Sequence, residues 1–337
     1  MGGARAPFAG RVRCRPMRTT TAPTIDDIRA AADRLRGVVV RTPLIRLGAD
    51  VPGGAEVWLK LENLQPIGSF KLRGAMNALR VAPPEAIRDG VYTASAGNMA
   101  QGVAWSAREL GVPSAVVVPD HAPATKLRAI ERLGMRIVKL PFDRWWQVVE
   151  DHAYPGLDGL FVHPVSDPAV MAGNGTIGLE IAEDLPDVDA VLVPYGGGGL
   201  SCGIASALAA LRPGARVIAT EAATAAPLAA SLAAGEPTAV DYTASFVDGI
   251  GSRSLLEEMW PLARDLLAGS VPVTLEQTAA AVRLLAERHR VIAEGAGGTS
   301  VAAALQGVPD ARRIVCVVSG GNLDASKLCA ILDGRVP

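Results

Sequence analysis

The sequence predicts an α/β fold of parallel sheets covered by helices, arranged as two lobes with one inserted in the other. Three observations predict it. Short β-branched runs recur along the chain, Ala-rich stretches long enough for helices separate them, and 337 residues exceed one typical domain but fall short of three. No internal repeat or long low-complexity linker breaks the alternation.

In chain order, residues 1–18 come first and differ from the rest. They hold five arginines (Arg5, Arg11, Arg13, Arg15, Arg18), no acid and several Gly and Pro, so they cannot bury a core and are expected to form a disordered extension, with Met17 as the natural initiator. An Arg-rich, acid-free start also suits an organelle-targeting segment, but it has no apolar h-region and no clear amphipathic period. Folding is expected to begin near Thr24, an N-cap followed by Asp26, Asp27 and a helix towards Leu35. Strands are then expected at 57–61, 91–94, 115–119, 136–140, 190–194, 217–220 and 314–318, with helices such as 98–110 and 200–211 between them. Trp145 and Trp146, in the segment 142–152, read as helix packing and not as a base-stacking platform, since no basic patch accompanies them.

Composition excludes several classes of function. Lys+Arg of 33 against Asp+Glu of 34 gives a net charge of −1, too balanced to bind a nucleic-acid backbone by bulk electrostatics. Although 49% of residues are hydrophobic, no apolar run is long enough to span a bilayer. The cysteines (Cys14, Cys202, Cys316, Cys329) form no CxxC pair, and three sit in apolar surroundings where reduced, buried thiols are expected, which suits a cytoplasmic location. The histidines (His121, His152, His163, His289) show no metal-ligand spacing, and no GxSxG is present.

In open α/β sheets, ligands sit beyond the carboxyl ends of strands, so glycine-rich turns after a strand are where chemistry is sought. The strand at 190–194 runs into Tyr195, then Gly196, Gly197, Gly198, Gly199, Leu200 and a helix. Consecutive backbone N–H groups at a helix N-terminus cradle a phosphate, whereas a tight structural turn needs only one or two glycines. No GK[ST] follows, which excludes a nucleotide P-loop. A GxGxxG at Gly173, Gly175 and Gly178 follows a proline-broken loop (163–168) instead of a strand, so it reads as close packing of a helix start.

Lys71 lies in Gly68-Ser69-Phe70-Lys71-Leu72-Arg73-Gly74, where Ser69 is placed to cap a helix. The chain has only five lysines among its basic residues, so each invites a reason. Near a helix N-terminus and apolar groups an ammonium is disfavoured, and its pKa falls towards the range where the amine attacks a carbonyl. Taken alone, a snorkelling surface lysine is the favoured reading. A phosphate cradle in the same chain favours the first, because a lysine imine beside a phosphate site is what a pyridoxal phosphate enzyme needs. Ser95, Ala96, Gly97 and Asn98 follow the strand at 91–94 and open a helix that continues with Met99; free N–H groups there suit a carboxylate, or the serine serves the helix alone. Ser319-Gly320-Gly321-Asn322 likewise follows the strand at 314–318.

Together, Ser69 to Gly74, Thr93 to Asn98, Gly196 to Leu200 and Ser319 to Asn322 resemble the fold-type II pyridoxal phosphate enzymes (the tryptophan synthase β-like fold), and most closely the threonine/serine dehydratase and serine racemase group. The resemblance covers about residues 25–332 with the motifs in family order. It implies two open parallel-sheet α/β domains with the cofactor between them: a large cofactor-binding domain of 19–80 and 168–337, and a small substrate-binding domain of 81–167. It further implies that Lys71 carries pyridoxal 5'-phosphate, with Phe70 beside it, and that Asn98 bonds the ring hydroxyl. Gly196, Gly197, Gly198, Gly199 and Leu200 hold the phosphate, Glu294 lines the cofactor, and Ser319 faces the pyridine nitrogen. Ser95, Ala96, Gly97, Asn98 and Met99 take the substrate carboxylate. A homodimer is expected on the same ground.

A serine at the ring nitrogen does not favour a protonated pyridinium, which suits a reaction whose β-hydroxyl departs before a long-lived carbanion is needed. The implied activity is β-elimination of a hydroxy-amino acid such as L-threonine or L-serine to a 2-oxo acid and ammonia. Racemases of the group carry a serine where this chain has Ala96, so two-base racemisation lacks one base. Met99 and Asn174 replace a usual histidine and glutamine. Glu221 matches one ligand of a divalent-cation site found in part of the group, but Pro227 stands where a second carboxylate belongs, so no metal is expected. The chain ends soon after Asn322, leaving no room for the regulatory domain of the biosynthetic enzymes. A racemase or β-replacing enzyme on the same scaffold is the alternative reading, while a non-catalytic relative is disfavoured by retention of Lys71 and Ser319.

Overall fold

The computed structural model describes residues 19–337; the expectations for residues 1–18, Met17 and Cys14 among them, lie outside the described residues. Among the described residues ten strands form two sheets: β1 (Leu44–Arg46), β2 (Glu56–Lys60), β3 (Val91–Ala94), β4 (Ser114–Pro119), β5 (Arg136–Leu140), β6 (Leu160–Phe161), β7 (Ala190–Pro194), β8 (Arg216–Ala222), β9 (Ser270–Val273) and β10 (Arg313–Val317). One sheet has the order β1-β2-β10-β7-β8-β9 and the other β5-β4-β3-β6. Every pair is parallel except β1 with β2. All seven strands read from the sequence are present. The three additional ones, β1, β6 and β9, each lie at a sheet edge. Edge strands are short and need no apolar run, and β9 even carries Pro272, which an edge tolerates because one side of its ladder is open.

The helices are α1 (Ile25–Leu35), α2 (Lys71–Val81), α3 (Pro84–Ile87), α4 (Asn98–Leu110), α5 (Ala124–Glu131), α6 (Phe142–Asp151), α7 (Pro168–Asp184), α8 (Gly199–Leu211), α9 (Pro227–Ala234), α10 (Trp260–Leu266), α11 (Leu275–Leu284), α12 (Gly295–Ala304) and α13 (Ala325–Leu332). Thr24 begins α1 as expected, in a reciprocal capping box with Asp27. The sheet that holds β7 is covered on both faces. Val191 and Val193 enter one core with Ile204 and Leu208, while Ala190 and Leu192 enter the other with Val301 and Ile314. A strand buried on both sides reads as a continuous apolar run, which is why β7 was legible without alternation.

The Gly173–Gly178 motif does not open a helix. Helix α7 starts at Pro168 with Asp167 as its N-cap, so these glycines occupy the helix interior. Each interior glycine costs about 1 kcal/mol relative to alanine, and close backbone approach offsets that cost. A Cβ on Gly173 would lie 2.4 Å from the Arg73 carbonyl oxygen of α2, and one on Gly203 of α8 would lie 2.4 Å from that of Met171. Three helices therefore meet at their backbones beneath the start of α2. The thiols also divide differently from expectation: Cys202 and Cys316 are buried, but Cys329 is exposed on α13, whose buried residues are Ala330 and Ile331.

A buried ion network locks α2 in place. The Arg73 guanidinium donates to Glu62 through Nε (2.8 Å) and Nη2 (2.9 Å), and to Glu180 through Nη1 (2.7 Å) and Nη2 (3.0 Å). Lys60 Nζ reaches Glu180 at 2.6 Å, and Thr42 donates to Glu62 at 2.6 Å. Two cations face two carboxylates with no net charge left over. Burial alone would push the Glu62 carboxyl up, but the Arg73 charge and hydrogen bonds hold it below its ordinary value. Arg73 stands two residues from Lys71, so the network sets where that lysine emerges.

Candidate active site

A cavity of about 430 Å³ opens beyond the carboxyl ends of β3, β4, β7 and β10, between the two sheets. That is where ligands of open α/β sheets bind. The chain brings to this one cavity Phe70, Lys71, Ser95, Ala96, Gly97, Asn98, Met99, the turn Gly196 to Leu200, Glu294 and Ser319. Glu221 lies elsewhere. Its carboxylate accepts the N–H groups of Leu228 and Ala229 and the Ser270 hydroxyl, and so closes the first turn of α9, whose first residue is Pro227.

Lys71 is the first residue of α2 and half-buried in the cavity wall. Its Nζ donates to the Pro164 carbonyl at 2.7 Å and sits 5.2 Å from the Phe70 ring centroid. Burial pulls the ammonium down to about 8, against the opposing pull of the Glu294 carboxylate. Of the two causes expected from the sequence, apolar surroundings and a helix N-terminus, burial is the one found. The Ser69 cap is not. Phe70 holds the N-cap position with helical backbone angles, and the Ser69 hydroxyl approaches the Lys71 N–H only at 3.4 Å. Ser69 instead bridges to Gly320, while the Phe70 N–H donates to the Ser319 carbonyl (3.0 Å) and the Gly321 N–H to that of Gly68 (2.9 Å). These bonds splice the lysine turn to the Ser319 turn, a junction between segments some 250 residues apart in sequence.

Asn98 is held at both ends of its amide. Its Nδ2 donates to Glu294 Oε1 at 2.9 Å, and its Oδ1 accepts from Asn322 at 2.8 Å. One N–H of Asn98 remains for a ligand. Burial pushes the Glu294 carboxyl up to about 7; the Asn98 amide opposes that rise and Asp248 adds to it. Across the cavity, Gly198 carries φ +99° and caps α8, a conformation costly for any other residue, and the first N–H groups of that helix have no intrahelical partner. An amine of lowered pKa beside a glycine-lined helix N-terminus fits a phosphorylated aldehyde cofactor. Gly197→Val would drive its Cβ to within 2.6 Å of the Val165 side chain. The expected result is weaker pyridoxal phosphate retention with an unchanged far-ultraviolet circular dichroism spectrum; full affinity in the folded variant would place the phosphate elsewhere.

Several cavity residues escaped the sequence reading. Trp145 does pack α6 against its lobe, but both Trp145 and Trp146 also line the cavity. Lys126 of α5 and Lys327 of α13 meet on Asp248, each at 3.2 Å, which gives two of the scarce lysines their reason. A chain this poor in aromatics (4%) that sets two tryptophans side by side offered a cue that was assigned to packing alone. Outside the cavity, His152, His163 and Glu258 come within 4.8 Å of one another, a grouping no local spacing announces. The Ser166 hydroxyl sits among them, 2.8 Å from His163 Nδ1 and 3.5 Å from His152 Nε2, and the Ser166 N–H also donates to His163 Nδ1. Burial and neighbouring His152 hold His163 neutral, at about 3. The group is a hydrogen-bonded brace for the loop whose Pro164 carbonyl receives Lys71.

Parallel α/β sheets with a lysine amine and a glycine turn facing one cleft define a cofactor-dependent enzyme of the lysine-anchored pyridoxal class. The chain belongs to the family described as pyridoxal-phosphate dependent enzymes, which matches residues 35–320. It is 43% identical over 311 residues to an L-threonine ammonia-lyase of Geobacter sulfurreducens, covering 91% of this chain and 77% of that one. It is 38% identical over 313 residues to the catabolic L-threonine dehydratase TdcB of Escherichia coli K12, covering 91% and 95%. Among solved structures, maize serine racemase superposes with a TM-score of 0.83 at 32% identity, covering 92% of this chain and 96% of that one. Among the described residues no helix is long and apolar enough to cross a membrane.

Proposed function

We propose that this enzyme eliminates the β-hydroxyl and the amino group of a hydroxy-amino acid, L-threonine or L-serine, to give a 2-oxo acid and ammonia. The observation that carries the reading is the half-buried Lys71 amine, lowered to about 8, facing the glycine turn across one cavity. The names of the similar ammonia-lyase and dehydratase support the substrate class. Pyridoxal phosphate, when bound, supplies the electron sink that makes the Cα proton acidic.

In this reading Lys71 would anchor the cofactor, and its amine, when free, would take the Cα proton of the substrate. An amine poised near pH 8 combines a usable neutral fraction with adequate basicity. Gly196 to Leu200 hold the phosphate by backbone N–H groups, and Asn98 offers its remaining N–H to the ring hydroxyl. Phe70 and Glu294, which line the cavity, would hold the cofactor with the Ser319 hydroxyl, a group that would not favour a protonated pyridinium. Residues 95–99, at the N-terminus of α4, bind the substrate carboxylate. Residues 19–80 and 168–337 form the cofactor-binding domain and 81–167 the substrate-binding one. The protein works as a cytoplasmic homodimer and uses no metal, the Glu221 carboxylate being engaged at α9.

Racemisation is the second reading, prompted by the likeness to serine racemase. Ala96 argues against it, because a methyl group in the cavity wall can neither give nor take a proton on the face opposite Lys71. L-Serine and L-threonine followed by chiral chromatography alongside ammonia release should yield ammonia and 2-oxo acid faster than D-amino acid. Ala96→Ser should gain racemase activity. A wild type that makes D-amino acid faster than ammonia sinks the dehydratase reading.

A further inference from the structure

Resting on that reading, we infer that the cavity accepts hydroxy-amino acids with a bulky apolar β-substituent, an aryl group above all, against a wall formed by Trp145 and Trp146. Beyond the carboxylate loop at 95–99, the small-sheet side of the cavity is lined by these two rings and by Val149 alongside His121 and Lys126, with Leu256 contributed from the other lobe. A methyl or hydrogen on the β-carbon, as in threonine or serine, leaves such a wall unused.

Trp145 is placed for contact, not for its polar atom. Trp145 packs with the Val148 and Val149 cluster, and its indole N–H is buried with no hydrogen-bond partner, so only its apolar surface accounts for its position. Trp146 is tethered by its N–H to Glu150 at 2.8 Å, one turn along α6, which steadies its ring. The ring centroids of the pair are 6.0 Å apart with planes inclined by 55°, two faces set at an angle to each other. An aryl group laid against this pair gains apolar contact and aromatic geometry together.

Charge separates this occupant from an anionic one. Among the described residues, Lys71 and Lys126 are the only Lys or Arg side chains lining the cavity. Lys71 is committed to the cofactor, and Lys126 is already paired with Asp248 at 3.2 Å. A β-carboxylate would have to break that pair and shed its water against indole rings, whereas an apolar group does neither. The reaction balances as it does for threonine: the β-hydroxyl leaves as water, one water is taken up on hydrolysis, ammonia departs, and a 3-aryl-2-oxopropanoate remains.

The test compares kcat/KM of the holoenzyme for 3-phenylserine, 3-hydroxyaspartate and threonine by release of ammonia and 2-oxo acid. Turnover of 3-phenylserine at a kcat/KM at or above that for threonine, with 3-hydroxyaspartate poorest, is the expected result. Trp145→Ala and Trp146→Ala should each lower the 3-phenylserine to threonine ratio by about tenfold or more, the scale of discrimination an apolar pocket achieves. Trp145→Phe, which keeps an aromatic wall, should preserve most of the ratio and guards against loss of folding in the alanine variant. An equal fall on both substrates would assign the tryptophans to packing and overturn the inference. Wild-type turnover of threonine but not 3-phenylserine overturns it while sparing the proposed reaction; turnover of no hydroxy-amino acid removes both.

Discussion

Replacing Lys71 by alanine should abolish covalent cofactor binding and lower turnover by roughly 10²- to 10⁴-fold or beyond detection, the range lost with an essential general base. The wild type should carry a visible absorption band from the bound cofactor, and borohydride should fix that cofactor to the peptide containing Lys71. The structure sharpens the expectation, because the other four lysines have identified partners or positions: Lys60 is buried against Glu180, Lys126 and Lys327 share Asp248, and Lys139 is exposed on β5. In cofactor-free protein the rate of capture should rise with pH and level off above about 8, since the neutral amine is the attacking form and burial has lowered its pKa to that value. Label on Lys60 or Lys126, or a capture rate still climbing at pH 10, would overturn the assignment.

Arg73→Met should destabilise the fold by about 3–5 kcal/mol, the cost of leaving buried carboxylates without their partner. Glu62 would keep no cation in direct contact, and Glu180 would keep only Lys60. The measurement is the midpoint of urea unfolding together with the denaturant slope. The sign of the pH dependence follows from Glu62. Arg73 holds its folded-state pKa below the unfolded value, so in the wild type its contribution is present above the ordinary carboxylate range and fades as pH falls through the folded pKa. The variant loses that holding charge, so its deficit should be largest near neutral pH and shrink on acidification as Glu62 takes a proton. A variant as stable as the wild type at pH 7 would show that the network carries no stability. Because α2 begins with Lys71, the folded fraction of the variant should also bind cofactor more weakly.

Much of the site was legible because its chemistry lies in short contiguous segments. The four-glycine turn declared itself by following an apolar strand, and Lys71 by its rarity and its place before Leu72 and Arg73. Strand β7 and helix α4 matched their expected bounds because burial on both faces and an Ala-rich helical run leave local marks. The misreadings also have local causes. The Gly173–Gly178 segment looked like a helix start because glycine is unfavourable inside a helix, and only the approach of α2 and α8 makes it favourable there. Ser69 has the right residue type for a cap, but its backbone pairs with Gly320.

By itself the sequence determined the alternating α/β order, the four-glycine turn after a strand, the lysine and the motifs that mark the family, since periodicity, turn chemistry and residue type are properties of neighbours along the chain. The tertiary structure alone decided which groups share the cavity, that Trp145 and Trp146 form part of its wall, that Arg73 answers Glu62 and Glu180, and that Glu294 is pushed up to about 7 while Lys71 is brought down to about 8. Burial and charge proximity set those properties, and both depend on residues a hundred or more positions away, whose approach no local pattern of side chains encodes.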